Sequence, residues 1–120
     1  PMTQSILVAE DEMIVAFDLR DTVEEAGYRV EGPHAGISSA MFAFQKERPD
    51  LAILDIQLDD GMVFEFAEKL AEQGVPIIFH SGLHTREEIA NRFPGARTLE
   101  KPCPPADVIE AVNDALDAAA

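Results

Sequence analysis

The sequence predicts an α/β domain built on one parallel sheet, and three patterns point to this fold class. Short apolar runs, as at residues 51–54, have the length and composition of buried strands. Longer segments with apolar side chains near helical spacing lie between these runs, as at residues 11–27. Glycine and proline mark the boundaries. Because strand and helix alternate, right-handed crossovers would place helices on both faces of the sheet.

Five strands and five helices are expected in order along the chain. We expect the strands at residues 5–9, 28–31, 51–55, 75–80 and 97–100. We expect the helices at residues 11–27, 37–46, 62–73, 85–92 and 104–118, the last opened by Pro104 or Pro105. Residues 57–61 are expected to form a polar loop.

Boundary signals support the elements in the first half of the chain. Acids at positions 10–12 favour the start of the first helix because the helix dipole attracts negative charge, and Gly27 suits its C-cap. The second strand is short and less apolar, so we expect it near an edge. Gly32-Pro33 should end that strand, since proline cannot donate to a β-ladder. The second helix has Ser38 or Ser39 near its start.

The second half repeats the alternation. The third strand is almost continuously apolar, which is typical of a central strand covered on both faces. Asp59 and Asp60 are expected to form a turn with Gly61. Thr85 resembles an N-cap, with Glu88 three residues later as in a capping box.

Size and composition restrict the class of protein. The chain is expected to form a single domain over residues 1–120. Cys103 is the only cysteine, which excludes an intrachain disulfide and makes a cytoplasmic location the expectation. The net charge of −14 argues against binding to nucleic acid or to anionic membranes. It favours cations and basic partner surfaces instead.

Acidic residues follow two of the apolar strands. Glu10 and Asp11 come after the first strand, and Asp55 closes the third. Parallel strands carry ligand sites at their carboxyl ends, so these carboxylates would share one pocket if the two strands are neighbours. Carboxylates a few ångströms apart repel one another, and a hard divalent cation relieves that repulsion. Each acid alone is also explained by a helix N-terminus or a loop.

Four marks in order resemble the receiver domain of two-component response regulators, over essentially the whole chain. They are Glu10-Asp11 after the first strand, Asp55 after the third, Ser81 after the fourth and Lys101-Pro102 after the fifth. The resemblance implies a flavodoxin-like (βα)5 fold. This fold is a three-layer sandwich around a five-stranded parallel sheet with the strand order 2-1-3-4-5.

A narrower resemblance is to the stand-alone receivers called the FAT GUY group, typical of alphaproteobacterial stress, light and redox pathways. It rests on residues 54–58, 74–76 and 79–82, although His80 and Ser81 replace the usual alanine and threonine. No linker or basic tail follows the last helix. A receiver without an attached output domain is therefore the expectation.

The resemblance implies a magnesium-assisted phosphoacceptor. Asp55 would take up the phosphoryl group, and Mg²⁺ would neutralise its charge. Asp11 and Asp55 would supply carboxylate ligands, and Glu10 would act directly or through a water. The backbone carbonyl of Gln57 would be the third protein ligand.

Two further residues would contact the phosphoryl group. Ser81 would donate a hydroxyl hydrogen bond, and Lys101 would place its compact ammonium against Asp55 and then against the phosphate. Pro102 would follow a cis peptide bond. His80 is expected to be a packed residue that faces away from Ser81, because strand side chains alternate. Cys103 is expected to be a packed or half-exposed thiol.

The implied function is a phosphorylation-dependent switch rather than an enzyme. A sensor histidine kinase or a histidine phosphotransfer protein would supply the phosphoryl group. The chain would then relay the signal to a downstream protein, or act as a phosphate sink. A monomer or a weak dimer through the fourth helix, fifth strand and fifth helix is the expected oligomeric state.

Two features depart from the family pattern. Thr98 stands where the family has its switch aromatic, so output is expected to depend on Ser81, Gly82 and the loop up to Thr85. Gln57 and Leu83 flank the expected path of hydrolytic water and offer no general base, which predicts slow to moderate self-dephosphorylation.

Two other functions stay open at this point. One is a receiver-like interaction module that works without phosphate. The other is a magnesium-dependent phosphatase of the haloacid dehalogenase type, which also uses a strand-end aspartate. That chemistry usually needs a second carboxylate two residues later, where this chain has Gln57.

Overall fold

A computed structural model describes residues 3–82 and 85–120 of the chain. Within them, the strands are β1 (Ser5–Ala9), β2 (Arg29–His34), β3 (Leu51–Leu54), β4 (Gln57–Leu58), β5 (Gly61–Met62), β6 (Ile77–Ser81) and β7 (Arg97–Glu100). The helices are α1 (Met13–Glu25), α2 (Ile37–Lys46), α3 (Phe64–Glu72), α4 (Arg86–Arg92) and α5 (Pro105–Ala119). None of these helices is long and apolar enough to cross a bilayer. Leu83 lies outside the described residues.

Five parallel strands form one sheet in the order β2-β1-β3-β6-β7. Since β6 and β7 are its fourth and fifth strands along the chain, the predicted order 2-1-3-4-5 is confirmed. The register pairs Ala9 of β1 with Leu54 of β3, so the two strands end side by side. The amide of Asp55 then donates to the carbonyl of Ala9 at 2.8 Å. This pairing brings the two acidic segments together.

Both faces of the sheet are covered. Helices α1 and α5 pack on one face, around Leu19, Val23 and Val112. Helices α2, α3 and α4 pack on the other face, where Phe66 and Phe79 are buried. All four residues of β3 are fully buried, as predicted for a central strand. Each buried leucine or isoleucine side chain of β3 contributes roughly 1.5–3 kcal/mol through the hydrophobic effect, so the sheet is a rigid support for the loops at its edge.

The prediction that Gly32-Pro33 ends the second strand was wrong. Strand β2 runs on to His34, and the amide of Glu10 donates to the His34 carbonyl at 2.9 Å. Proline is tolerated here because β2 is an edge strand and pairs on one side only. Gly32 has a φ of 113°, and a Cβ at this position would lie 2.7 Å from the carbonyl oxygen of Val8. Glycine is required at that close approach.

The expected polar loop at residues 57–61 is instead a short antiparallel hairpin formed by β4 and β5. Asp59 and Asp60 form its turn, as predicted. Asp60 also accepts hydrogen bonds from the amides of Ile37 (2.6 Å) and Ser38 (3.0 Å). It therefore caps α2 from a distant loop, and Ser38 and Ser39 lie near the start of the helix as expected.

The starts of two other helices differ from the prediction. Glu12 occupies the N-cap position of α1, so the acidic residues precede that helix instead of filling its first turn. Thr85 occupies the N-cap position of α4, but its hydroxyl donates to the carbonyl of Gly82 at 3.1 Å. No side chain caps that helix among the described residues, so the predicted capping box with Glu88 was wrong.

Candidate functional site

Three carboxylates meet at the carboxyl edge of the sheet. Glu10 and Asp11 follow β1, and Asp55 follows β3. Each can offer one oxygen such that all three oxygens lie within 4.8 Å of one another. The spacing is short enough for a single cation to contact all three groups. Hard carboxylate oxygens suit Mg²⁺ or Ca²⁺ better than softer metals.

Glu10 is the most enclosed of these acids, with 1% of its surface exposed. Its Oε1 lies 2.8 Å from the Lys101 Nζ, and its Oε2 accepts a hydrogen bond from the Glu12 amide at 3.1 Å. Burial by itself would raise the pKa of Glu10. The neighbouring His80 ring, the Lys101 ammonium and the Glu12 amide outweigh burial and lower that pKa to about 2. Glu10 is therefore a fixed negative charge.

The pKa of Asp55 is shifted in the opposite direction. Its Oδ2 lies 3.2 Å from the Lys101 Nζ, and its Oδ1 accepts a hydrogen bond from the Ile56 amide at 2.8 Å. Burial and then the negative charge of Glu10 raise the pKa of Asp55 to about 7, although Lys101 opposes the shift. The group therefore exchanges its proton near neutrality. A cation in the cluster would replace that proton and hold Asp55 ionised.

Lys101 reaches the carboxylates from the end of β7. Its amide donates to the carbonyl of Ser81 at 2.9 Å, which ties the β7 end to the β6 end, and the Lys101-Pro102 peptide bond is cis. Burial would lower the pKa of Lys101, but the bond to Glu10 and the charge of Asp55 outweigh burial and raise that pKa. The ammonium is thus permanently charged between two carboxylates.

Ser81 ends β6 at the same edge of the sheet and is buried. A small cavity of about 40 Å³ lies beside it, lined in part by Gly82, Thr98 and Leu99. Thr98 itself is exposed. An aromatic side chain that could swing towards Ser81 is therefore absent from this cavity among the described residues, consistent with the sequence.

Gln57 is the remaining predicted ligand of the metal site. It lies in β4, pairs with Met62 of β5, and its side chain is exposed. The proposed metal contact of its backbone carbonyl stays a prediction.

His80 lies closer to the acids than the sequence indicated. It is buried as expected, but its Nδ1 lies 3.7 Å from the Oε1 of Glu10. That separation exceeds hydrogen-bond length, and neither ring nitrogen has a partner within residues 3–82 and 85–120. Strand alternation indicated that His80 faces away from Ser81. The sequence carried no signal that the Glu10 side chain reaches over towards that face.

The model of the response regulator receiver domain family matches residues 6–113. This chain belongs to that family. Receiver domains serve phosphorylation-dependent signalling in two-component systems, through histidine kinases or phosphotransfer proteins and downstream targets. Family membership thus favours the switch over the phosphatase and the phosphate-independent module.

Several known proteins are similar to this receiver domain. The phyllosphere-induced regulator PhyR of Methylorubrum extorquens is 34% identical over 118 residues, which are 96% of this chain and 44% of that protein. The regulatory protein PdtaR of Mycobacterium tuberculosis is 28% identical, over 90% of this chain and 54% of that protein. The chain therefore spans about half the length of these curated relatives.

Solved receiver structures have the same fold. The solution NMR structure of the PhyR receiver domain from Erythrobacter litoralis superposes with a TM-score of 0.86 at 30% identity, over 96% of this chain and 91% of that one. The crystal structure of a receiver protein from Sinorhizobium medicae gives a TM-score of 0.86 at 28% identity, over 98% of each chain. The flavodoxin-like architecture predicted from the sequence is thus confirmed.

Proposed function

We propose that Asp55 is the phosphoacceptor of this receiver domain and that it works with Mg²⁺. The observation that carries the proposal is the position of Asp55 between two further acids and the Lys101 ammonium, 3.2 Å away. An ordinary loop aspartate would have neither neighbour. We further propose that residues 1–120 form a single receiver domain.

The donor set fits magnesium. Glu10, Asp11 and Asp55 would hold the ion, with the Gln57 carbonyl as a fourth protein group, and Mg²⁺ commonly keeps water in its remaining positions. When bound, the ion supplies positive charge against the equatorial oxygens of the transferring phosphoryl group. The raised pKa of Asp55 supports this assignment, because the pocket has a deficit of positive charge that a proton or a cation can fill.

The chain's own groups position the nucleophile. The Ile56 amide holds one oxygen of Asp55, and the other lies against Lys101. An Asp55 oxygen attacks the phosphorus of a phosphohistidine, the P–N bond breaks, and the electron pair stays on the leaving imidazole. The product is an acyl phosphate. Lys101 then moves from carboxylate to phosphoryl oxygen, and the Ser81 hydroxyl donates to a second one. The domain in this way assists its own phosphorylation.

The donor would be a sensor histidine kinase or a histidine phosphotransfer protein. Large apolar side chains are exposed at the start of α1, beside the acids: Met13, Ile14 and Phe17, with Ile14 at 82% exposure. Such a group on the surface of a small domain fits a protein-binding site. The signal would pass to a downstream protein, with a weak dimer through α4, β7 and α5 as the associated oligomer.

The test is phosphorylation by acetyl phosphate with Mg²⁺, followed by intact-mass analysis and by phosphotransfer from purified histidine kinases. We expect a single phosphoryl adduct that is lost in Asp55→Ala. The matched control is Asp59→Ala, an exposed aspartate on the β4–β5 turn, which should keep the adduct. Continuous release of inorganic phosphate without an adduct would indicate a hydrolase, and no reaction with any donor would overturn the proposal.

The lifetime of the adduct tests a second part of the proposal. Gln57 is exposed beside the site and provides no general base, so slow to moderate self-dephosphorylation is expected. A half-life of only seconds would contradict this expectation.

A further inference from the structure

The β4–β5 hairpin begins two residues after Asp55 and carries Gln57, whose backbone carbonyl is the fourth protein group proposed for the magnesium site. The hairpin forms a two-stranded sheet of its own, apart from the five parallel strands. Its base is fixed, because Leu58 is buried and the Val63 amide donates to the Ile56 carbonyl at 2.8 Å. Two strands of two residues each have little stability by themselves in water. The position of the hairpin therefore depends also on the contacts that its tip makes.

The tip of the hairpin is attached to the start of α2. The amide of Asp59 donates to the carbonyl of Ala35 at 3.0 Å. The two carboxylate oxygens of Asp60 accept hydrogen bonds from separate amides, that of Ile37 at 2.6 Å and that of Ser38 at 3.0 Å. These amides lower the pKa of Asp60, so its carboxylate is ionised at neutral pH. Asp60 is therefore an ionised, two-point attachment between the hairpin and α2.

Gly36 shows that α2 relies on this distant cap. It occupies the N-cap position of α2, where residues with a side-chain oxygen usually supply the bond to the first amides. The backbone there is extended, with a φ of −134° and a ψ of 161°, so other residues could adopt it. A Cβ at this position would, however, lie 3.2 Å from the Oδ1 of Asp60. Glycine leaves the space into which the Asp60 carboxylate fits.

We propose that Asp60 is a positioning residue of the magnesium site, an inference that rests on the proposed function. Asp60 is not one of the three acids that converge on that site, so it acts through the hairpin. Its bonds to the start of α2 hold the hairpin tip in place, and this keeps the Gln57 carbonyl turned towards the acids. Because coupling between two sites is reciprocal, magnesium binding also strengthens the attachment of Asp60 to α2.

Magnesium affinity measures the positioning effect. In NMR titrations with MgCl₂ at constant ionic strength, we expect Asp60→Ala to raise the Kd about tenfold, the lower end of the range for residues that support a metal ligand. The matched control is Asp59→Ala, which removes an equal charge from the same exposed turn. It should leave the Kd almost unchanged, because salt screens exposed charges. Saturating MgCl₂ should restore the rate of phosphorylation by acetyl phosphate in Asp60→Ala, since Asp55 and Lys101 are intact.

Moving the carboxylate separates positioning from helix capping. In the double variant Gly36→Asp, Asp60→Ala, the new side chain can cap α2 from its own N-cap position, and the net charge equals that of the parent. The Asp60 oxygens that would crowd a Cβ at position 36 are absent from this variant. We expect Asp60→Ala to lower the midpoint of urea unfolding and the double variant to recover it, while the magnesium Kd stays raised. Recovery of the parental Kd would overturn the proposal, because Asp60 would then act only as a cap and a charge.

Hydrogen exchange provides a readout outside the metal site. Saturating MgCl₂ should slow exchange of the Ile37 and Ser38 amides about tenfold, the factor by which Asp60→Ala weakens binding. In Asp55→Ala the same MgCl₂ concentration should give no such protection. If MgCl₂ causes no saturable shifts near Asp11 and Asp55 in the parent chain, the proposed metal site fails and the inference fails with it. If the metal binds but Asp60→Ala leaves the Kd unchanged, or the exchange does not slow, only the role of Asp60 is overturned.

Discussion

The carboxyl groups that follow β1 and β3 have pKa values shifted in opposite directions. Glu10 and Asp55 follow paired residues of adjacent strands, and both contact Lys101. The pKa of Glu10 is lowered to about 2, whereas that of Asp55 is raised to about 7. Glu10 has more favourable neighbours, including the Glu12 amide and the His80 ring. Asp55 bears the repulsion from Glu10.

This difference assigns separate roles to two similar acids. Glu10 keeps its charge and holds Lys101 in place, so it is part of the scaffold of the site. Asp55 is easily neutralised and easily recharged, which suits the proposed phosphoacceptor, a group that would bind a cation, attack phosphorus and then lose its charge in an acyl phosphate. The surroundings of each acid, rather than its residue type, set its pKa.

Removal of Lys101, which contacts both Glu10 and Asp55, should have the largest effect on stability. Lys101→Met leaves the enclosed Glu10 carboxylate without its ammonium partner, and we expect a loss of about 2–4 kcal/mol in the free energy of unfolding at pH 8. Urea denaturation measures this. The matched control is Lys69→Met on the exposed surface of α3, which should change stability little. Equal effects of the two substitutions would show that the lysine does not hold the cluster together.

Replacing Asp55 by an uncharged residue should increase the free energy of unfolding instead of lowering it. The pKa of this group is higher in the folded protein than its ordinary value of 3.8, so folding takes up a proton and stability falls as the pH rises from about 4 to about 7. Asp55→Asn removes that loss. We expect the metal-free variant to be more stable than the parent by about 1–2 kcal/mol at pH 8, with a much smaller gain at pH 5. Thermal and urea unfolding at both pH values measure the difference; a gain independent of pH would contradict the assignment.

Magnesium affinity should depend on pH through Asp55. Below its pKa of about 7, the ion must displace a proton, so affinity should fall by up to tenfold for each pH unit of acidification and level off above pH 7. NMR titration with MgCl₂ between pH 6 and pH 8 measures this. In Glu10→Gln the repulsion is removed, and the levelling point should move to lower pH. If the pH dependence of magnesium affinity did not change in Glu10→Gln, Glu10 would not be the cause of the raised pKa of Asp55.

The smallest effect is expected at Glu12. Its carboxylate lies 3.8 Å from the Lys101 Nζ but is 68% exposed, so solvent screens the interaction. Glu12→Gln should change the unfolding free energy by less than about 0.5 kcal/mol and leave the pH dependence of magnesium binding in place. A shift comparable to that of Glu10→Gln would mean that burial is not the source of the contrast between the acids.

The local sequence pattern was sufficient to predict the order of the five helices and of the five strands of the parallel sheet. The buried runs that became β1 and β3 have strong apolar signals, and the acids at their ends were identified as one candidate site. Pro33 was mispredicted because whether a strand tolerates a proline depends on the strand beside it, and the partner of β2 is β1, far away in sequence. The hairpin at β4–β5 was missed although its two strands are neighbours in sequence, because each has only two residues and so carries no alternating pattern.

By itself, the sequence determined the fold class and the identity of the acids and the lysine at the strand ends. These follow from periodicity and from residues placed at successive strand termini, both of which are local in the chain. The sheet order was implied by the resemblance to receiver domains. The tertiary structure alone decided that Asp60 caps α2, that His80 lies beside Glu10, and that the pKa of Asp55 is raised while that of Glu10 is lowered. Each of these depends on distances and burial between segments far apart in sequence, where electrostatics and desolvation act through space.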